Sequence, residues 1–213
     1  MSRYAFLVDT YRTERLKILG VWSQIADEYM QFRPEPRARS PHEHMVHQCL
    51  SEDGWMRGML GIAVALPELP AQETRLAFLA HYAAVSEQRL AALEPKDDAW
   101  FEETTQFFGM PRSRAWVLTR RIAHSAHHRG QVTACIRSWG RPLYSTYGPT
   151  ADTGGLPRNG ARIIYRYGSV EDLLEREAQG GGGPELPGPG AAPPTERPPA
   201  SNPPRPPRAT DSR

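Results

Sequence analysis

The run Ala123-His124-Ser125-Ala126-His127-His128-Arg129-Gly130-Gln131 decides how this chain is read. It lies inside a helical pattern from about Ser113 to Trp139, which stops at Gly140-Arg141-Pro142, a glycine-then-proline end signal. On a helix, His124 and His128 leave one face, separated by about 6 Å of axial rise. Two imidazoles at that spacing can share one metal ion. His127 is turned about 100° from His128 and does not share its direction. Ser125 stands where the helical zinc-protease motif has Glu, which excludes that motif. Histidines that merely pack in a core or interface use the same spacing, so a third ligand must come from another segment. Gly130 costs a helix interior about 1 kcal/mol against Ala and suggests close packing there. Arg129 and Gln131 fall on or near the far side of the helix, where an interhelix or dimer contact is the expected role.

Six of the seven histidines form two clusters, and the second cluster is His42, His44 and His47. Ser40-Pro41-His42-Glu43 reads as a capping box, with Ser40 as the cap, Pro41 at the first helical position and Glu43 reaching back. The helix it opens is expected to run to about Leu60. His47 lies in its middle, flanked by Val46 and Leu50, and is the best third ligand. His42 and His44 lie in the first turn and are expected to be solvated. Glu43 is one turn before His47. It could orient His47 or act as a general base, although the capping role explains it more simply. Cys135 stays on the histidine stripe about 10 Å beyond His128, too far to share its ion, and Cys49 points elsewhere. Both read as small buried residues.

Working outward, residues 4–32 carry Phe6, Tyr11, Ile18, Trp22, Ile25 and Tyr29 at helical spacings, ended by Pro34 and Pro36. Residues 71–93 form a third helix and Pro95 ends it. Asp97 or Asp98 caps a short helix holding Trp100, Phe101 and Phe107, which Gly109 and Pro111 break. Residues 162–167 read as a short strand-like segment, and Ser169 as the cap of a small helix ending near Ala178. The expected fold is therefore all-α, an antiparallel four-helix bundle with an irregular C-terminal extension. The loop at 141–161 is no P-loop, since it lacks Gly-Lys-Ser/Thr. It could close over the histidines as a lid and supply Asp152 or Thr153, or simply place Asp and Gly for tight turns.

The chain has 213 residues, 21 of them Pro and 18 Gly, with a net charge of +2. From Gly180 to Arg213 there are 11 Pro and 6 Gly in 34 residues, with no aromatic residue. A helix or core cannot be built from that composition, so 180–213 is expected to be a disordered tail. The domain is then 1–179, with the bundle over about 1–140 and the extension over 141–179. Two cysteines make no disulfide framework. No apolar run approaches the roughly 20 residues of a membrane span, the N-terminus is not a signal peptide, and the near-neutral charge leaves no footprint for nucleic acid. The expectation is a cytoplasmic protein with neither a membrane nor a nucleic-acid partner.

The motif His124-Ser125-Ala126-His127-His128-Arg129-Gly130-Gln131 resembles the signature of the DinB-like metal-binding superfamily, two histidines four apart followed by Arg-Gly-Gln. His47-Gln48-Cys49-Leu50-Ser51-Glu52 also resembles that family's second helix, whose ligand histidine is followed five residues on by Glu. The resemblance covers roughly residues 1–140. It implies a DinB-like four-helix bundle in which His47, His124 and His128 bind a divalent metal, zinc or nickel, often in a homodimer. Relatives include bacillithiol and mycothiol transferases and a thiol-dependent maleylpyruvate isomerase, so it implies activation of a low-molecular-weight thiol. Three imidazoles leave coordination positions for water or a small-molecule substrate. The functional expectation is a metal-dependent enzyme, a thiol transferase or a hydrolase, with Glu43 and Asp152 as the candidate catalytic groups. The alternative is a non-catalytic metal-binding stress-response or dimerisation module.

Overall fold

Local signals place the helices. The computed structural model describes residues 2–192 and 196. The long helices are α1 (Ala5–Trp22), α2 (Pro41–Gly58), α3 (Arg75–Leu93) and, after a short α4 (Asp98–Glu102) and a hairpin of β1 (Thr104–Phe107) and β2 (Met110–Ser113), α5 (Arg114–Ser138). A final helix, α6, spans Val170–Ala178. Hydroxyls on Ser40, Thr74, Ser113 and Ser169 accept from backbone N–H groups at the starts of α2, α3, α5 and α6. Ser40 and Glu43 complete the reciprocal capping box.

The fold is all-α apart from the hairpin. α1 packs against α3 and α5, and α2 packs against the same two, so α1 and α2 lie on one diagonal. Contacts give the directions. Arg12 meets Glu94 while Arg15 meets Ser86, so α1 and α3 are antiparallel. Ser51 meets Arg121 while Gln48 meets the Ser125 carbonyl, so α2 and α5 are antiparallel. His42 reaches Glu73 and Glu52 reaches Tyr82 and Arg89, so α2 and α3 run parallel. The order is up-down-down-up. Each long helix therefore has one antiparallel and one parallel neighbour, because the connection 59–74 carries the chain back along the bundle.

The core is apolar at both ends and polar in the middle. One cluster gathers Ile18, Trp22, Met45, Phe78, Tyr82 and Ile136, joined by Leu143, Tyr167 and Leu173 of the C-terminal extension. The other gathers Leu7, Tyr11, Met56, Leu90, Phe101 and Leu118. Between them, at one level of all four long helices, lie buried Glu14, Arg15, Gln48, Glu52, Asp53, Ser86, Arg89, Arg121, Ser125 and Arg129. Such groups persist in a core only when they are paired.

Five local expectations are corrected. α1 ends at Trp22 and not near residue 32. Trp22 already faces Phe78 in the first turn of α3, at 6.5 Å between rings. The chain turns there, buries Ile25 and Met30, and stacks Tyr29 on Trp139 at 4.5 Å. Phe107 belongs to the hairpin, not to a helix, and Phe108-Gly109 make its turn with φ of 49° and 81°. Residues 162–167 form no strand and attach through Ser145 N–H to the Ile164 carbonyl at 2.9 Å. A Cβ at Gly130 would meet nothing within 4 Å, so no close packing explains that glycine. Residues 180–192 have no helix or strand, yet they are tied to the extension. Gly188 N–H donates to the Asp152 carbonyl at 2.9 Å and Tyr144 Oη donates to the Pro184 carbonyl at 2.9 Å. The rest of the expected tail, 193–195 and 197–213, lies outside the described residues. Among the described residues, no helix is long and apolar enough to cross a membrane.

Candidate metal centre

The antiparallel contact of α2 with α5 brings three imidazoles together. The ligand atoms of His47, His124 and His128 all lie within 4.8 Å of one another. His124 Nε2 and His128 Nε2 are 3.2 Å apart. At zinc–nitrogen distances of about 2.0–2.1 Å, two nitrogens of a tetrahedral site stand about 3.3 Å apart. The ring of His47 lies 4.5 Å from that of His128 and 5.4 Å from that of His124. Its Nε2 is buried and has no hydrogen-bond partner. A buried, unpartnered imidazole nitrogen aimed at two others costs free energy unless something accepts its lone pair or proton. The donor set therefore fits a divalent ion.

The protonation states suit that task. Burial pushes His47 down to about 4 and His124 to about 3, and the positive charges of Arg39 and Arg121 add to it. His128 is lowered for the same first reason, against a hydrogen bond to Gln131 that raises it. All three imidazoles are thus neutral at neutral pH, the form that ligates. His128 Nδ1 donates to Gln131 Oε1 at 2.8 Å, which leaves the Nε2 lone pair facing His124. The expected far-side placement of Gln131 is corrected: three residues on along a helix, it comes back beside His128. Arg129 does face away. It is buried and pairs with Glu14 of α1 at 2.6 Å, an interhelix contact.

His44 was expected in solvent but is buried, with its ring 5.4 Å from that of His128 and its Nδ1 unpartnered. Burial pushes it down to about 4. The signal was its spacing, since His44 and His47 are one helical turn apart on one face. His42 is paired with Glu73 at 2.5 Å. His127 stays outside the group and meets His128 edge-on at 4.9 Å. On the other side, Trp55 lies 5.4 Å from His124, and Phe107 and Phe108 of the hairpin close edge-on over Trp55.

Glu43 and Asp152 are not gathered with the histidines. The Glu43 carboxylate takes Arg33 and the Ser40 N–H, and those bonds hold its pKa below the usual range. Asp152 accepts from Leu143 N–H at 2.8 Å and pairs with Arg137 at 2.6 Å. The loop 141–161 lies along α1. Lys17 donates to the Thr146 carbonyl, Gln24 accepts from Tyr144 N–H and Tyr147 reaches Glu14. Its polar contacts serve α1 and α5, the reverse side of the bundle from α2, so the lid expectation is replaced by a strap behind α1. Cys135 is buried and outside the ligand group, with its thiol pushed up by burial.

Sequence reasoning assigned no role to Glu52. It is 1% exposed and sits at the centre of the polar belt directly behind the histidines. Tyr11 and Tyr82 donate to it at 2.6 and 2.9 Å, and Arg89 and Arg121 lie at 3.4 and 3.6 Å. Burial raises its pKa, but the two guanidinium groups and two hydroxyls outweigh burial and the net shift is downward. Arg121 also donates to Gln48 at 2.6 Å and to Ser51 and Ser125. One carboxylate thus ties α1, α2, α3 and α5 at the level from which His47 and His124 project.

Comparison with known proteins agrees with this fold. The model of the DinB family matches residues 1–155. No curated protein matches the chain. The crystal structure of a DinB-like protein from Bacillus cereus superposes with a TM-score of 0.59 at 19% identity, covering 66% of this chain and 95% of that one. A DinB-like protein from Bacillus subtilis gives 0.52 at 16% identity, covering 66% and 96%.

Proposed function

The chain belongs to the DinB family, and from that premise we propose that His47, His124 and His128 hold a divalent ion, zinc or nickel, in a metal-dependent enzyme. The observation that carries this reading is the convergence of three neutral imidazoles with no fourth protein ligand in the group among the described residues. A closed structural zinc site uses four protein ligands, and a catalytic one keeps a position free. When bound, such an ion supplies the Lewis acidity that makes a thiol or water a stronger nucleophile at neutral pH. Imidazole suits zinc and nickel alike.

The chain's own residues prepare the site. Burial, the largest cause of their lowered pKa values, keeps the imidazoles unprotonated. Gln131 fixes the tautomer and rotation of His128. Arg121, held by Gln48, Ser51 and Ser125, locks α2 against α5 so that His47 cannot drift from the other two. Trp55 with Phe107 and Phe108 shields one flank from water. The proposed reaction is attack of a low-molecular-weight thiol on a small electrophile, the sulfur forming a bond to the electrophilic atom as the thiol loses its proton, with water as the alternative nucleophile. The proposed setting is a cytoplasmic homodimer.

Metal analysis of the purified protein beside His47→Ala, His124→Ala and His128→Ala tests the site. About one ion per chain in the parent and near none in each variant is expected. Full occupancy in all three variants overturns the triad. Turnover of thiol and electrophile by the loaded parent then separates an enzyme from a metal-stabilised module.

A further inference from the structure

Two clefts flank the histidines. One, of about 640 Å³, runs between the segment before α2 and the C-terminal half of α5, and Arg37, Arg39, His44, Gln131, Cys135 and Ser138 line it. No Asp or Glu is among its lining residues. The other, of about 480 Å³, takes in His42 and His47 and is bordered by Arg39 as well, and its two carboxylates, Glu43 and Glu73, are already paired with Arg33 and His42. Arg39 thus stands where the two clefts meet, and its charge is felt at His44, His47 and His128.

The segment 33–39 carries three arginines. Arg33 is engaged by Glu43 and the Ala38 carbonyl, and Arg37 by Glu35 at 2.9 Å. Arg39 has no hydrogen bond or ion pair among the described residues. A guanidinium left free at the mouth of an acid-free cleft has the planar two-pronged geometry that carboxylates take. Phosphate suits the place less well. It carries more charge than one free guanidinium offsets, and the nearby α2 N-terminus, which would otherwise attract it, is already closed by Ser40 and Glu43.

We propose that the cleft between residues 37–39 and α5 recognises a small molecule bearing a carboxylate, with Arg39 binding that carboxylate while the reactive end points toward the three histidines. This rests on the metal-site reading for where the reactive end goes, not for the anion contact itself. Arg39 is a specificity residue, and the cleft selects an anionic thiol or electrophile over a neutral one.

Calorimetric titration of the purified full chain with 3-mercaptopropionate and with 2-mercaptoethanol tests this, with metal content measured on the same samples. The parent is expected to bind the acid roughly fivefold or more tightly than the alcohol, a size reasonable for one partly solvated charge-assisted contact. Arg39→Ala is expected to erase that ratio while metal content and melting temperature stay unchanged, and Arg39→Lys to restore part of it. A ratio near one in the parent, or a ratio that survives in Arg39→Ala, overturns the proposal. Inorganic phosphate displacing 3-mercaptopropionate at equal concentration overturns the choice of carboxylate. A protein without metal that keeps an Arg39-dependent ratio sinks the metal reading and upholds this one. A metal-loaded protein with no ratio does the reverse.

Discussion

Gln131 sets the proton on His128. With its Oε1 accepting from Nδ1 at 2.8 Å, the other ring nitrogen is left as a lone pair in the ligand group. Gln131→Ala is expected to weaken zinc binding about tenfold, the lower end for a lost ligand-orienting partner because Gln131 is exposed and water can substitute. Competition with a chromophoric chelator measures it. Glu52 is the other decisive residue. Removing it strands two buried guanidinium groups and two tyrosine hydroxyls, so Glu52→Ala is expected to cost about 3–5 kcal/mol in urea unfolding. An unchanged midpoint would show that the belt does not hold the helices. At this scale the sequence was half legible. His124 and His128 announce themselves by spacing, whereas His44 looks like any polar residue on a helix until distant neighbours bury it, and Glu52, marked by the family motif, gets its role only from those neighbours.

Among the elements, those with chemical punctuation were read well. The Ser40 capping box, the Ser169 cap and the Gly140-Arg141-Pro142 stop lie within a residue or two of the observed ends of α2, α6 and α5. Ser40→Ala is expected to cost about 1 kcal/mol, seen as a lower urea midpoint, because it leaves the Glu43 N–H without its acceptor while the backbone N–H at position 40 keeps the Glu43 carboxylate. The end of α1 and the β1–β2 hairpin escaped the same reading. α1 ends at Trp22 without a proline or glycine stop: the Ser23 and Gln24 side chains donate to the Gly20 carbonyl, and Trp22 meets Phe78 across the bundle. The strands have only four residues each, one of them Pro111, too short for a two-residue period to show. The hairpin is held by Trp55 and Trp116 against its phenylalanines.

For the whole molecule, five histidines lowered first by burial link acid to stability, the four around the candidate centre and His81. His44 and His47 fall to about 4 and His124 to about 3 from an ordinary 6.5, and His128 also falls, with burial the first cause in each. A group lowered on folding stabilises the fold fully above its unfolded pKa and loses that contribution as pH falls through its folded one. The metal-free protein is therefore expected to lose melting temperature progressively from about pH 6.5 toward pH 4. A midpoint that is level or higher at pH 5 than at pH 7.5 would contradict the burial of these rings. Glu52, also lowered, loses its contribution with the same sign once pH falls below its ordinary 4.5, so the comparison of pH 5 with pH 7.5 reports chiefly the histidines. Zinc added at neutral pH is expected to raise the melting temperature of the parent and not of His47→Ala, since a ligand of the folded state stabilises it by mass action.

The sequence by itself determined where most helices begin, that the chain is all-α, and that His124 and His128 share a face. Each of these depends on residues within about seven positions of one another, the reach of helical period and capping. Tertiary structure decided the rest: the up-down-down-up order, the polar belt around Glu52, the burial of His44, the strap of 141–161 behind α1, and the cleft that leaves Arg39 free. Those depend on residues 30 to 133 positions apart, whose charges and hydroxyls acquire partners only when α1, α2, α3 and α5 close on one another.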